Sequence, residues 1–319
     1  MRLVKSYFMV GMLIMNALVL GACSGDRQDS AVDVQPPDSG GSDFVGVWTY
    51  CINYSGTNSE SVLYEIKHDE TWIWTSVVHN DGDCKGAGDQ EFSAEGTYSI
   101  GSELMLPSGI VASKFDFTTL VSSDPEVELG QTCHSLIAKF GRILLEGDIS
   151  EIMDCSSSQL RHEVLNFARP YVNKDASDRF QDEDHIINGT FDGCFTNAEL
   201  GTSRRYVTTQ SNGIYDDFAE EYVGEQCQGD FTSEERYEGY YYTEGFAGTV
   251  EGYDYYDVVW VPAVLDAQSP EFNTCFSRVA LRDDALYFMS DLEGETCKPY
   301  GERDELIPNY DQPMYRQPE

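Results

Sequence analysis

The chain has 319 residues, 56 of them acidic and 20 Lys or Arg, for a formal net charge of -36. That excess repels nucleic acid and anionic lipid head groups, so both are poor partners for the folded surface, and it reads as a solvated acidic exterior. Nine cysteines stand in the chain, an odd number that leaves one of them outside any full pairing.

The first 22 residues carry a basic start (Arg2, Lys5) and an apolar run from Phe8 to Leu20, broken by Asn16. The run is too short for a stable span and no basic stop-transfer cluster follows it, which is the pattern of a cleaved export signal. Leu20-Gly21-Ala22-Cys23 closes it. These four residues resemble the lipobox of bacterial lipoproteins. The resemblance implies cleavage before Cys23, a diacylglycerol on its sulfur, and a membrane-anchored life in the bacterial envelope; Ser24 resembles the outer-membrane sorting signal. Acyl chains contribute about 0.8 kcal/mol per buried methylene, so several make a lasting anchor. Residues 24–43 offer almost nothing apolar to bury and are expected to be a flexible tether.

The remaining cysteines form two sets: Cys51, Cys84, Cys133 and Cys155, then Cys194, Cys227, Cys275 and Cys297. Their intervals are 33, 49 and 22 in the first set and 33, 48 and 22 in the second. Gly46 and Trp48 match Gly189 and Phe191, Tyr98 matches Tyr241, and Arg161 matches Arg303, all at an offset of 142 or 143 residues. The chain is therefore a duplication, with one domain over 44–172, a linker over 173–186 and a second domain over 187–319. In an exported chain the eight cysteines form a disulfide framework. Each domain allows three connectivities. We favour Cys51 with Cys84, Cys133 with Cys155, Cys194 with Cys227, and Cys275 with Cys297. The later pair of each set brackets a strand-turn-strand unit whose ends return to one edge, and loops of this length stabilise by about 3 to 4 kcal/mol each.

Strand signals dominate. In the first domain we expect strands near 44–51, 61–68, 71–79, 92–100, 103–106, 113–121, 132–140, 143–150 and 161–167. Asn212-Gly213 marks a hairpin in the second domain. Phe276 to Arg282 alternates with the period of two of a half-buried strand. Local antiparallel pairing over that many strands predicts two tandem β-barrels, with β-sandwiches as the alternative.

Gly46-Val47-Trp48 on the first strand resembles the Gly-x-Trp motif of the lipocalin superfamily. The resemblance implies a barrel with the tryptophan closing one end and an arginine, Arg161 here and Arg303 in the second copy, packed across it. Gly189-Thr190-Phe191 departs from the motif, so the second barrel end is expected to pack differently.

Asp81 and Asp83 resemble the start of a calcium loop, but Lys85 and Phe92 hold positions that should chelate, so the stretch reads as a tight turn beside a disulfide. The five histidines, His68, His79, His134, His162 and His185, form no metal or catalytic motif, and no cofactor or enzyme signature appears. Tyr240, Tyr241 and Tyr242 are candidates for ligand or partner contact, with Glu234, Glu235, Glu244 and Asp254 as nearby acceptors. Two functions follow as expectations. The first is a non-enzymatic binding lipoprotein whose barrels hold a small apolar or amphipathic ligand. The second is a surface or structural module that presents the second domain to a protein or glycan.

Overall fold

A computed structural model describes residues 42–125, 127–147, 155, 161, 164–173, 187–197, 200–291 and 295–318. The signal run, Cys23, the tether to residue 41, most of the expected linker, His162 and His185 lie outside the described residues.

Eight antiparallel strands build the first barrel: β1 (Gly46–Asn53), β2 (Ser59–Ile66), β3 (Thr71–His79), β4 (Gly88–Met105), β5 (Val111–Ser122), β6 (Thr132–Phe140), β7 (Ile143–Glu146) and β8 (Tyr171–Val172). Each pairs with its neighbour in sequence, and Thr49 opposite Val172 closes the ring. The second half supplies β9 (Gly189–Asn197), β10 (Thr202–Ser211), β11 (Ile214–Val223), β12 (Asp230–Val250), β13 (Tyr253–Pro262), β14 (Leu265–Asp266), β15 (Cys275–Arg282), β16 (Ala285–Ser290), β17 (Ile307–Pro308) and β18 (Met314–Arg316). Its ring runs through β9, β10, β11, β12, β13, β15, β16 and β18, and β18 returns to β9. The fold is all-β, with two closed barrels rather than sandwiches.

The four disulfides join Cys51 to Cys84, Cys133 to Cys155, Cys194 to Cys227 and Cys275 to Cys297. Cys84 and Cys227 both sit at positive φ. Their amides donate to buried serines in matching places, Cys84 to Ser59 Oγ at 3.1 Å and Cys227 to Ser203 Oγ at 2.7 Å. Asp81 accepts from the amides of Asp83 and Gly86, so it holds the turn beside the first disulfide as expected.

Two expected elements differ. The strands near 92–100 and 103–106 are one strand, β4, because the register shift between Ile100 and Glu103 is a bulge and not a turn. The last strand of the first barrel is β8, and Leu165 within the expected 161–167 strand makes only an isolated bridge to Gly147.

The barrels pack against each other along β13. Tyr256, Val258 and Trp260 point into the second barrel, while Val259 and Val261 join the apolar core of the first. Phe276 meets Phe140 at 6.0 Å and Phe167 at 5.4 Å between ring centroids. The Asn212-Gly213 turn, with both residues at positive φ, places its tip against Arg142; a Cβ on Gly213 would lie 3.0 Å from that side chain.

β14 carries the join into the backbone. It runs parallel to β1, with Ile52 opposite Leu265 and Asn53 opposite Asp266, so the second half of the chain contributes a strand to the first barrel's sheet. Asn273, 1% exposed, holds this strap: its Nδ2 donates to the carbonyls of Ala168 and Asp266, and its Oδ1 accepts from the Asp266 amide. Asn273→Ala is expected to cost about 2 to 3 kcal/mol, because it leaves buried backbone groups unpaired. Denaturant unfolding checks the loss, and faster amide exchange at Ile52 and Asn53 would place it at the strap.

Candidate functional site

Strand alternation sends every second residue inward. In the first barrel this brings Tyr50 from β1, Glu60 and Tyr64 from β2, Trp72, Trp74 and Ser76 from β3, Ala94 from β4, Phe117 from β5, Glu146 from β7 and Tyr171 from β8 around a cavity of about 450 Å³. That volume lies within the range of small-molecule sites, roughly 300 to 1,000 Å³. The walls are aromatic and the rings support one another. Tyr171 lies 5.0 Å from Tyr50 and 5.5 Å from Tyr64, and Trp72 stands edge-on to Phe117 at 5.8 Å. The exposed Ser93, Val127 and Arg169 mark the mouth.

Two carboxylates line the cavity in different states. Glu60 is satisfied: it accepts from the Tyr54 hydroxyl at 2.6 Å and from the Ser76 hydroxyl. Arg169 at the rim shares this corner: burial lowers its guanidinium, but Tyr50, Tyr54 and then Glu60 together raise it above its ordinary value. Glu146 makes no side-chain hydrogen bond or ion pair among the described residues. Burial alone pushes its carboxyl up to about 7. Burial chiefly, and the nearby charge of Glu146 in second place, raises the Tyr64 phenol well above its ordinary range; burial also leads at Tyr171, to which Glu146 adds.

The second barrel lines the corresponding space with different side chains. Matching the strand registers of the two rings sets Thr208 where the first has Tyr64, Asp217 for Trp74, Gly193 for Tyr50 and Phe288 for Glu146. Phe288 packs at 6.0 Å from Tyr206 and 6.2 Å from Trp260, and Trp260 also meets Tyr215 and Tyr241. Tyr206 donates to Asp217 at 2.7 Å, and burial raises that carboxyl.

The candidates from sequence fall elsewhere. Tyr241 is 2% exposed inside the second barrel, while Tyr240 and Tyr242 pack on the first barrel's core. The three tyrosines are therefore not an exposed contact face; adjacent strand residues point oppositely, and here both directions are covered. Glu244 is held by the Tyr300 hydroxyl at 2.8 Å and by Arg303. Arg161 does not spend its guanidinium on Trp48: it donates to the carbonyls of Phe115 and Ser135 and to Asp116. Trp48 is fully buried, and its indole donates to the Phe44 carbonyl at 2.9 Å. The cation over Phe191 is Arg316, 4.7 Å from the ring centre, and not Arg303. The reason is topological. β18 lies beside β9 with Arg316 opposite Phe191, whereas Arg303 sits in a 3-10 turn over Tyr300 and Phe276.

Glu146 and the tryptophans around the cavity escaped the sequence reading. The repeat carries the signal that finds the carboxylate: Ile143 to Glu146 aligns with Ala285 to Phe288, so one copy has an acid where the other has a ring. Among the described residues no group of three or more His, Cys, Asp or Glu side chains gathers as a metal site. No protein-family model matches the chain, and the search of curated proteins finds no match.

The raised Glu146 carboxyl has a consequence for stability. A carboxyl whose folded value lies above its unfolded value, about 4.5, destabilises the fold as pH rises from there through about 7. Glu146→Gln mimics the neutral form. Its stability relative to wild type should be near zero at pH 4 and favourable by on the order of 3 kcal/mol at pH 8. Denaturant unfolding of both proteins at the two pH values measures the difference, and an equal difference at both would refute the assignment.

Proposed function

We propose that this chain is an envelope lipoprotein, anchored through Cys23, whose first barrel holds a small ligand with an apolar body while the second barrel braces it. The observation that carries the reading is the aromatic cavity of about 450 Å³ in the first barrel, whose lining the second copy does not repeat. A barrel that only needed stability would fill its interior, since an empty cavity of this size forfeits packing energy. The exposed Val127 at the mouth suits entry of an apolar body. The address rests on the export signal, the lipobox-like run and the tether, and the acidic surface leaves the lipid as the means of holding a membrane.

Protein taken from its own cells and examined by native mass spectrometry should carry a bound small molecule. Ala94→Trp, which places an indole in the cavity beside Trp74, should abolish that mass while keeping the thermal transition within a few degrees. Retention of the same mass in the variant would defeat the binding reading. Separately, Cys23→Ser should shift the protein from the membrane to the soluble fraction and end labelling by radioactive palmitate.

A further inference from the structure

We propose that the ligand of the first barrel is an organic cation, an ammonium on an apolar aromatic or aliphatic body, whose charge sits beside Glu146 against the rings of Tyr64 and Tyr171. The inference rests on the ligand-binding reading and adds the ligand's chemical class.

Three observations carry it. First, the Glu146 carboxylate faces the cavity with no donor of its own among the described residues, although Glu60 in the same cavity has two. A neutral apolar ligand would leave that carboxylate unpaired and dry, and an anion would set like charge against it; an ammonium satisfies it. Second, the wall around it is built of phenol and indole rings. Their faces are electron-rich and attract a cation, more strongly where water is excluded. Third, among the described residues the charges that line the cavity are Glu60, Asp124 and Glu146 against Arg169, and Arg169 stands at the mouth within the field of Glu60. The fold does not need the acid, because the second barrel closes with Phe288 at the same register position.

Protonation of Glu146 competes with the cation. Burial pushes its carboxyl up to about 7, so affinity for an ammonium should be full above that pH and fall about tenfold per unit below it.

The test uses the whole protein and three probes of matched shape: 4-phenylbutylamine, 4-phenylbutanol and 4-phenylbutanoate. Calorimetry at pH 8 should rank the amine at least tenfold tighter than the alcohol, with the carboxylate weakest. Glu146→Gln should cost the amine at least tenfold and not weaken the alcohol, and the variant's retained alcohol affinity shows that its cavity is intact. At pH 6 wild type should lose about tenfold toward the amine while the alcohol is not weakened. If the alcohol or the carboxylate binds as tightly as the amine, or if the variant keeps its amine affinity, the cation inference is overturned and the binding reading stands. If none of the three binds and protein from its own cells carries no ligand, both are overturned.

Discussion

The first barrel closes on its own strands through a single residue pair, and much of the architecture follows from how thin that seam is. β8 is two residues long and covers β1 at a single pair, Thr49 with Val172. Further along the same edge, Ile52 and Asn53 would present bare backbone. β14 covers them from the second half of the chain. For a two-residue strand to lie there, the second barrel has to be docked and its connecting loop held, which is the work of Asn273 and of Thr274, whose hydroxyl donates to the Phe167 carbonyl at 2.7 Å. The docked face must then be apolar. This is why β13 is buried on both sides and why its Val-Val-Trp-Val run lacks the alternation of a strand with one wet face.

Under that constraint the two copies have divided their interiors. The frame is common to both: ring order, disulfides, the buried serine under each first disulfide, the glycine before the first inward aromatic. The filling is not. The second barrel keeps Tyr206, Trp260 and Phe288 in mutual contact and tolerates a buried acid because Tyr206 donates to it. The first barrel puts Ser76, Ala94 and Gly147 on its wall beside large rings that pack on one another, and the space remains open. The second barrel shares core residues with the first through Val259, Val261 and Phe276, and so braces the wall around the cavity.

The framework was legible in the sequence because its signals are local or periodic. Cysteine intervals and the strand-turn-strand units between them predict the pairing that forms, Asn212-Gly213 predicts a hairpin, and Phe276 to Arg282 predicts a strand by its period of two. What escaped depends on partners distant in sequence. Tyr240 and Tyr242 look like a solvent-facing array until the first barrel covers them. Arg303 occupies the motif position by offset, but the ring it was expected to cover lies beside β18, so Arg316 meets it first. Gly101-Ser102 reads as a break between two strands, and the partner strand shows it to be a bulge within one. The cavity is a difference in summed side-chain volume across eight strands, which no single segment displays. Glu146 is the exception, since comparing the two copies residue by residue exposes it.

The charge balance gives the unpaired carboxylate its meaning. With 56 acidic residues against 20 Lys and Arg, cations are the scarce groups in this protein. Several are committed to building the fold. Arg161 ties β5 to β6 through their carbonyls, Arg205 neutralises Asp192 and Glu220, Arg278 holds Asp257, and Arg303 holds Glu244. Placing an acid inside an aromatic barrel runs against this economy, because it sets a carboxyl where the other copy has a phenyl ring. Among the described residues no basic side chain pairs with Glu146, and burial raises its carboxyl instead.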